Sequence, residues 1–107
     1  MKVLLIVAVL VLIFVSGCIG QGSDLKTIGG QARDDCMQLC QQAKANGTDL
    51  GSGPCVSNNI IDGWVCDVAH SPRTAADDLA ANQCPAFGDT ASHFVEVDPE
   101  CSFIRSY

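Results

Sequence analysis

A small, disulfide-stapled α+β domain, with an N-terminal helix packed on a small antiparallel β-sheet, is the fold this sequence predicts. Three observations predict it. Apolar residues recur at helical spacing between Gln31 and Asn46. Beyond residue 54, two segments alternate apolar and polar side chains as half-buried strands do. Six cysteines, Cys36, Cys40, Cys55, Cys66, Cys84 and Cys101, are spread through the same region. A chain this short buries a modest fraction of its surface and needs covalent help, and an even number of cysteines is the form that help takes in exported domains.

The element that sets the compartment comes first. Met1 and Lys2 give a positive start, and Val3 to Val15 are thirteen apolar residues without charge, proline or glycine. Ser16, Gly17 and Cys18 follow. A charged start, an apolar core of about 7–15 residues and small residues before a cut site describe an export signal. The apolar core is shorter than the roughly 20 residues of a comfortable membrane span. Val15-Ser16-Gly17-Cys18 resembles the lipobox of prokaryotic lipoproteins. The resemblance implies that lipid alkylates the Cys18 thiol, that the chain is cut before it, and that 1–17 is a signal peptide. The competing reading is an uncleaved anchor from Val3 to Ile19. Either way the rest of the chain faces outward, at the extracytoplasmic face of the cell membrane.

Residues 18–30 are glycine-rich and polar and predict a flexible tether between lipid and domain. The domain itself is expected to span 31–107. Its helix carries Ala32, Cys36, Leu39, Cys40 and Ala43 on one face, with Asp34 and Asp35 near its start, Lys44 near its end and Asn46-Gly47 as a stop. Asn46-Gly47-Thr48 also matches the N-glycosylation acceptor pattern, although an ordinary helix end explains it as well. Gly47 to Pro54 is turn-rich. Cys55–Ser57 and Trp64–Ala69 are expected to pair as a hairpin, with Trp64 in the core. Ser71 as cap and Pro72 at the first position resemble a helix entry, and the alanine-rich Thr74–Asn82 stretch reads either as a short helix or as a loop. Ser92–Val97 and Cys101–Tyr107 are expected to form a second hairpin about Asp98-Pro99-Glu100, with Phe94 or a neighbour packed on the helix.

Cys36 and Cys40 lie one helical turn apart and are poorly placed to bridge each other, which leaves 12 of the 15 possible pairings. Short loops close easily and the last strand needs tying to the helix. That reasoning predicts Cys40–Cys55, Cys66–Cys84 and Cys36–Cys101.

Charge excludes some partners. The chain has six basic and twelve acidic residues; losing Lys2 with the signal leaves five against twelve, a net of −7. Such a surface repels phosphate, so nucleic acid is not an expected partner, and lipid rather than charge must hold the protein to a membrane. The expected partners are the membrane, through Cys18, and an envelope protein or ligand. No cofactor is expected.

Two chemical alternatives compete with a binding or structural role. Asp34-Asp35-Cys36 opening a helix, followed by His93 to Asp98 on a strand, resembles the core of transglutaminase-like and papain-fold cysteine enzymes. The resemblance implies Cys36 as a nucleophile activated by His93, with Asp98 or Glu100 orienting the histidine; this would be a hydrolase or acyltransferase. It would also leave five other thiols, an odd number, so the disulfide reading is preferred. A metal site would draw on His70, His93 and Asp67, which lack the short ligand spacing of structural zinc. Val65 to Arg73 is the most idiosyncratic stretch, where His70 and Arg73 are expected to meet an acidic group. The chain as a whole resembles small cysteine-rich prokaryotic lipoproteins, archaeal ones among them, a resemblance that implies no particular activity.

Overall fold

Thr27 sets where the helix begins. Its hydroxyl accepts a hydrogen bond from the Gly30 amide at 3.1 Å, and α1 runs Ile28–Ala45 from that cap. The computed structural model describes residues 27–107. The expected signal segment, Cys18 and the tether as far as residue 26 lie outside the described residues. The tether's predicted end at Gly30 is corrected: Ile28, Gly29 and Gly30 form the first helical turn, because a capping side chain precedes the glycines. The stop falls where expected. Asn46 caps the C-terminus and Gly47 takes a φ of +84°, a conformation open to glycine. Among the described residues, no helix is long and apolar enough to cross a membrane.

Four strands follow: β1 (Cys55–Ile61), β2 (Trp64–Val68), β3 (His93–Val97) and β4 (Phe103–Ser106). They form one sheet in the order β1-β2-β3-β4. The predicted fold class holds: one helix on a four-stranded sheet, stapled by three disulfides. Both predicted hairpins are antiparallel, β1 with β2 and β3 with β4, whereas the central pair β2–β3 is parallel. A parallel pair requires a crossover, and residues 69–92 supply it by passing over the face opposite α1.

Each face of the sheet has its own apolar cluster. Toward the helix, Cys66 and Val68 of β2 and Val95 and Val97 of β3 pack on Ala32, Cys36 and Cys40 of α1. Trp64 packs at the edge of this cluster, half-buried, and stacks on His93 with ring centroids 4.5 Å apart. The side-chain alternation of a strand sends Val95 to the helix and Phe94 the other way. Phe94 therefore joins Val65, Cys84 and Ala91 under the crossover.

Of the two readings of Ser71–Asn82, the short helix is corrected and the segment is a loop with two tight turns. The Ser71–Pro72 peptide is cis, and two 3₁₀ turns, Ala75–Asp78 and Ala80–Asn82, stand in its place. The cap is Thr74, not Ser71: the Thr74 amide and hydroxyl both donate to the Asp77 carboxylate, at 2.8 and 3.2 Å. Ala75, Ala80 and Ala81 are exposed, so an alanine-rich helix here would have little apolar surface to bury.

All six cysteines beyond Cys18 are bonded, but none of the three predicted pairs forms. The bridges are Cys36–Cys66, Cys40–Cys101 and Cys55–Cys84, with Cα separations of 5.3, 5.5 and 5.0 Å. The reason is the face on which each sulfur lies. Cys36 and Cys40 belong to the cluster between helix and sheet, with Cys66 and Cys101. Cys55 packs with the cluster on the opposite face, as does Cys84, so it meets Cys84 instead of Cys40.

Candidate functional site

The sheet's second face carries a row of polar residues that the helix never touches. In the observed register Cys55 of β1 lies opposite Asp67 of β2, Asp67 beside Glu96 of β3, and Glu96 opposite Arg105 of β4. Parallel pairing of two apolar strands, each with one internal acid, thus sets two carboxylates side by side. Both are buried: Asp67 exposes 9% of its surface and Glu96 4%.

Burial of charge demands partners; Glu96 has them on both oxygens, whereas Asp67 has one oxygen with none. Arg73, from the crossover, donates to Glu96 Oε2 at 2.8 Å, and Arg105 Nε donates to Glu96 Oε1. Arg73 is held in turn by Asp78 and by the Asp77 carbonyl, at 3.1 Å to each. Arg105 also lies over the Phe94 ring, 5.3 Å from its centroid. Asp67 Oδ1 is buried without any hydrogen-bond partner. Burial, reinforced by the adjacent Glu96 charge, pushes the Asp67 carboxyl from 3.8 up to about 7, against the pull of Arg73.

Above this row is a cavity of about 180 Å³. Val65, Asp67, Phe94 and Glu96 line it from the sheet, and Arg73, Gln83, Cys84 and Phe87 line it from the crossover. Phe87 meets Phe94 edge to face at 5.2 Å and is 43% exposed, so the wall opens to solvent on that side. The crossover keeps its shape through Asp77, whose side chain is wholly enclosed. That carboxylate accepts from the Thr74 amide at 2.8 Å, the His70 amide at 3.0 Å and His70 Nδ1 at 2.9 Å. An ionised carboxylate can only accept, so His70 carries its hydrogen on Nδ1. Burial alone would raise the Asp77 carboxyl; the bonds from Thr74 and His70 outweigh it and bring it down to about 2. The expectation that His70 and Arg73 meet acidic groups holds, with Asp77 for the first and Glu96 and Asp78 for the second.

The other sequence candidates are placed elsewhere. Cys36 is fully buried and bonded to Cys66, so it presents no thiol for a nucleophilic step. His93 stacks on Trp64, and its Nδ1–H donates to the Tyr107 carbonyl at 3.1 Å. Asp98 turns its carboxylate into its own loop, where it accepts from the Glu100 and Ser102 amides at 2.9 Å each. The three metal candidates do not converge. His70 binds Asp77, Asp67 faces the cavity, and His93 lies on the helix side. Among the described residues no group of three or more His, Cys, Asp or Glu is placed to hold a metal ion. Asn46 is exposed and serves as the helix C-cap.

Sequence reasoning missed Glu96 and Arg105, and it read Asp67 only as a possible ligand. The signal was present: each of the two central strands holds one acid amid apolar residues. It reads as ordinary alternation toward solvent until the crossover is known to cover that face.

Asp67 has a consequence for stability. Its folded-state carboxyl titrates above its unfolded value, so between about pH 4 and 7 the folded chain holds more protons than the unfolded one. Stability attributable to Asp67 therefore falls as pH rises through that window. Asp67→Asn is expected to leave stability at pH 4 unchanged and to raise it at pH 8 by about 2 kcal/mol, roughly half the full linkage value because water reaches the cavity. Denaturant midpoints of the two proteins at both pH values check this; an Asn variant weaker than the parent at pH 8 contradicts it.

Compared with known proteins, this chain matches no family model, no curated protein and no solved structure.

Proposed function

We propose that this chain is a lipid-anchored extracytoplasmic domain that binds a ligand at the cell envelope through the cavity over Asp67. The observation that carries the proposal is cysteine parity. Cys36, Cys40, Cys55, Cys66, Cys84 and Cys101 are consumed by one another, and the remaining cysteine, Cys18, stands at the end of a lipobox-like motif. Disulfides of this kind persist outside the reducing cytoplasm. The acidic surface of the mature chain gives an anionic membrane nothing to attract, which makes the lipid on Cys18 the means of attachment. Binding fits the cavity better than catalysis, since Glu96 has both oxygens committed to guanidinium groups and is a poor nucleophile or base.

The full chain, expressed in a prokaryotic host that processes lipoproteins, is expected to yield a mature protein beginning at a lipid-modified Cys18 and partitioning into detergent. Cys18→Ser should remove both the modification and the processing. Intact mass before and after reduction reads the result. Recovery of an unprocessed chain with an unmodified Cys18 thiol would overturn the proposal, while a gain of six protons on reduction is the signature expected of the domain.

A further inference from the structure

We propose that the cavity over Asp67 binds a small primary ammonium compound bearing a short apolar tail, the nitrogen donating to the Asp67 carboxylate and the tail lying against Phe87 and Phe94. This names the ligand class of the site put forward above and rests on that reading.

The argument starts from the unpartnered oxygen. Asp67 is nine-tenths buried, its side chain is part of the cavity lining, and its Oδ1 is enclosed without a donor. A buried acceptor in that state costs free energy that a ligand donor recovers. The surroundings select the sign of the ligand's charge. Facing Asp67 are Glu96 from β3 and, beyond it, Arg105 from β4; from the crossover come Arg73, Asp77, Asp78 and His70, while β1 contributes only the uncharged Cys55–Cys84 bridge. Of these, the charged groups in the cavity wall are two carboxylates, Asp67 and Glu96, and two guanidiniums, Arg73 and Arg105, both engaged by Glu96; Asp77 and Asp78 are not in the wall and pair with His70 and Arg73. A free anion would find no uncommitted cation there; an ammonium group would find a carboxylate with one oxygen still unpartnered. Size and wall chemistry select the rest. The cavity holds on the order of six water volumes at ~30 Å³ each. Its apolar wall includes Val65 and two phenylalanine rings, which suit a chain of a few carbons and favour a nearby cation. Binding converts Asp67 to its ionised form, so affinity should rise with pH across the range in which this carboxyl titrates.

The test uses the mature, lipidated chain in detergent micelles. n-Butylammonium chloride, n-butanol and sodium butyrate are each titrated at pH 5 and pH 8 while the Asp67 side-chain carbon and the Phe87 and Phe94 rings are followed by NMR. Butylammonium is expected to saturate at pH 8 with a dissociation constant on the order of 1 mM, as befits so small a ligand. It should bind roughly tenfold more weakly at pH 5, and about as weakly to Asp67→Asn at pH 8, the loss expected of one charge-assisted hydrogen bond. Phe87→Ala, which alters only the open wall, should weaken binding about threefold. If Asp67→Asn does not fold, the pH comparison and Phe87→Ala decide the matter on folded protein. Absence of a saturable shift at Asp67, or equal affinity at pH 5 and pH 8, overturns the ammonium class. Saturation by butanol or butyrate in its place would leave the cavity a ligand site for another chemistry. If none of the three saturates, the ligand-site reading falls with the proposal.

Discussion

Replacing Cys40 and Cys101 together by alanine is expected to lower the unfolding free energy by about 4 kcal/mol, the largest loss among the three bridges. The bridge closes 61 residues, against 30 for Cys36–Cys66 and 29 for Cys55–Cys84. In the chain-entropy account the longer loop constrains the unfolded ensemble more, by roughly half a kcal/mol over the shorter ones. Burial separates it from Cys55–Cys84 but not from Cys36–Cys66, since Cys36, Cys40, Cys66 and Cys101 all sit in the cluster between helix and sheet. Cys101 also takes a φ of +67°, a backbone conformation costing about 1 kcal/mol or more for a residue with a Cβ. The bridge and the turn held by Asp98 keep it there. A small domain has about 5–15 kcal/mol in total, so this variant loses a large share of its stability. Guanidinium midpoints of the three paired-alanine variants rank the bridges; a greater loss from Cys55 and Cys84 than from Cys40 and Cys101 would contradict the account.

Asp77→Ala is expected to cost about 3 kcal/mol, the largest loss from any single side chain outside the disulfides. The carboxylate ties together two amides, a ring N–H and a hydroxyl from His70 and Thr74. Removing it leaves part-buried donors without an acceptor, which costs up to about 1–3 kcal/mol for each orphaned group before the loop relaxes and water reaches it. The site is fitted to the carboxylate from the other side too. Gly53 has a φ of +74°, and a Cβ there would stand 2.6 Å from Asp77 Oδ1. Because the Asp77 carboxyl is held down near 2, its contribution is fully present above the ordinary carboxylate value of 3.8 and is lost as pH falls from there toward 2. The variant and the parent should therefore converge in stability near pH 2. The crossover should loosen first, visible as faster hydrogen exchange at the His70 and Thr74 amides with little change in β3. Unchanged exchange at those amides would show that Asp77 does not organise the crossover.

The opposite titration of the two acids follows from one difference. Asp77 is surrounded by donors, and Asp67 has a carboxylate neighbour and an oxygen without a donor. Asp77 spends its charge on structure. Asp67 keeps an unmet requirement at the wall of a cavity, which is the arrangement a binding site needs.

Much of this architecture was legible from local pattern. The apolar spacing of Ala32, Cys36 and Cys40 marks the buried stripe of α1, and Asn46-Gly47 marks its end. The alternation in Trp64–Val68 and His93–Val97 marks the central strands, with Asp98-Pro99-Glu100 as the turn of the second hairpin, while β1 runs on to Ile61 past the expected Ser57. The use of every cysteine beyond Cys18 in bridges follows from parity. These features depend on neighbours a few residues away, or on a count.

What the tertiary structure alone decided is every property that depends on which face of the sheet a residue shares with a distant one. Strand alternation separates the two faces but does not say which strands lie side by side or what covers them. The parallel β2–β3 register puts Asp67 beside Glu96, and the crossover over that face turns an apparently solvent-facing pair of acids into the wall of a cavity. The same choice of face gave Cys55 to Cys84 and Cys40 to Cys101, because a sulfur bonds to the one it meets in space, whatever the length of chain between them.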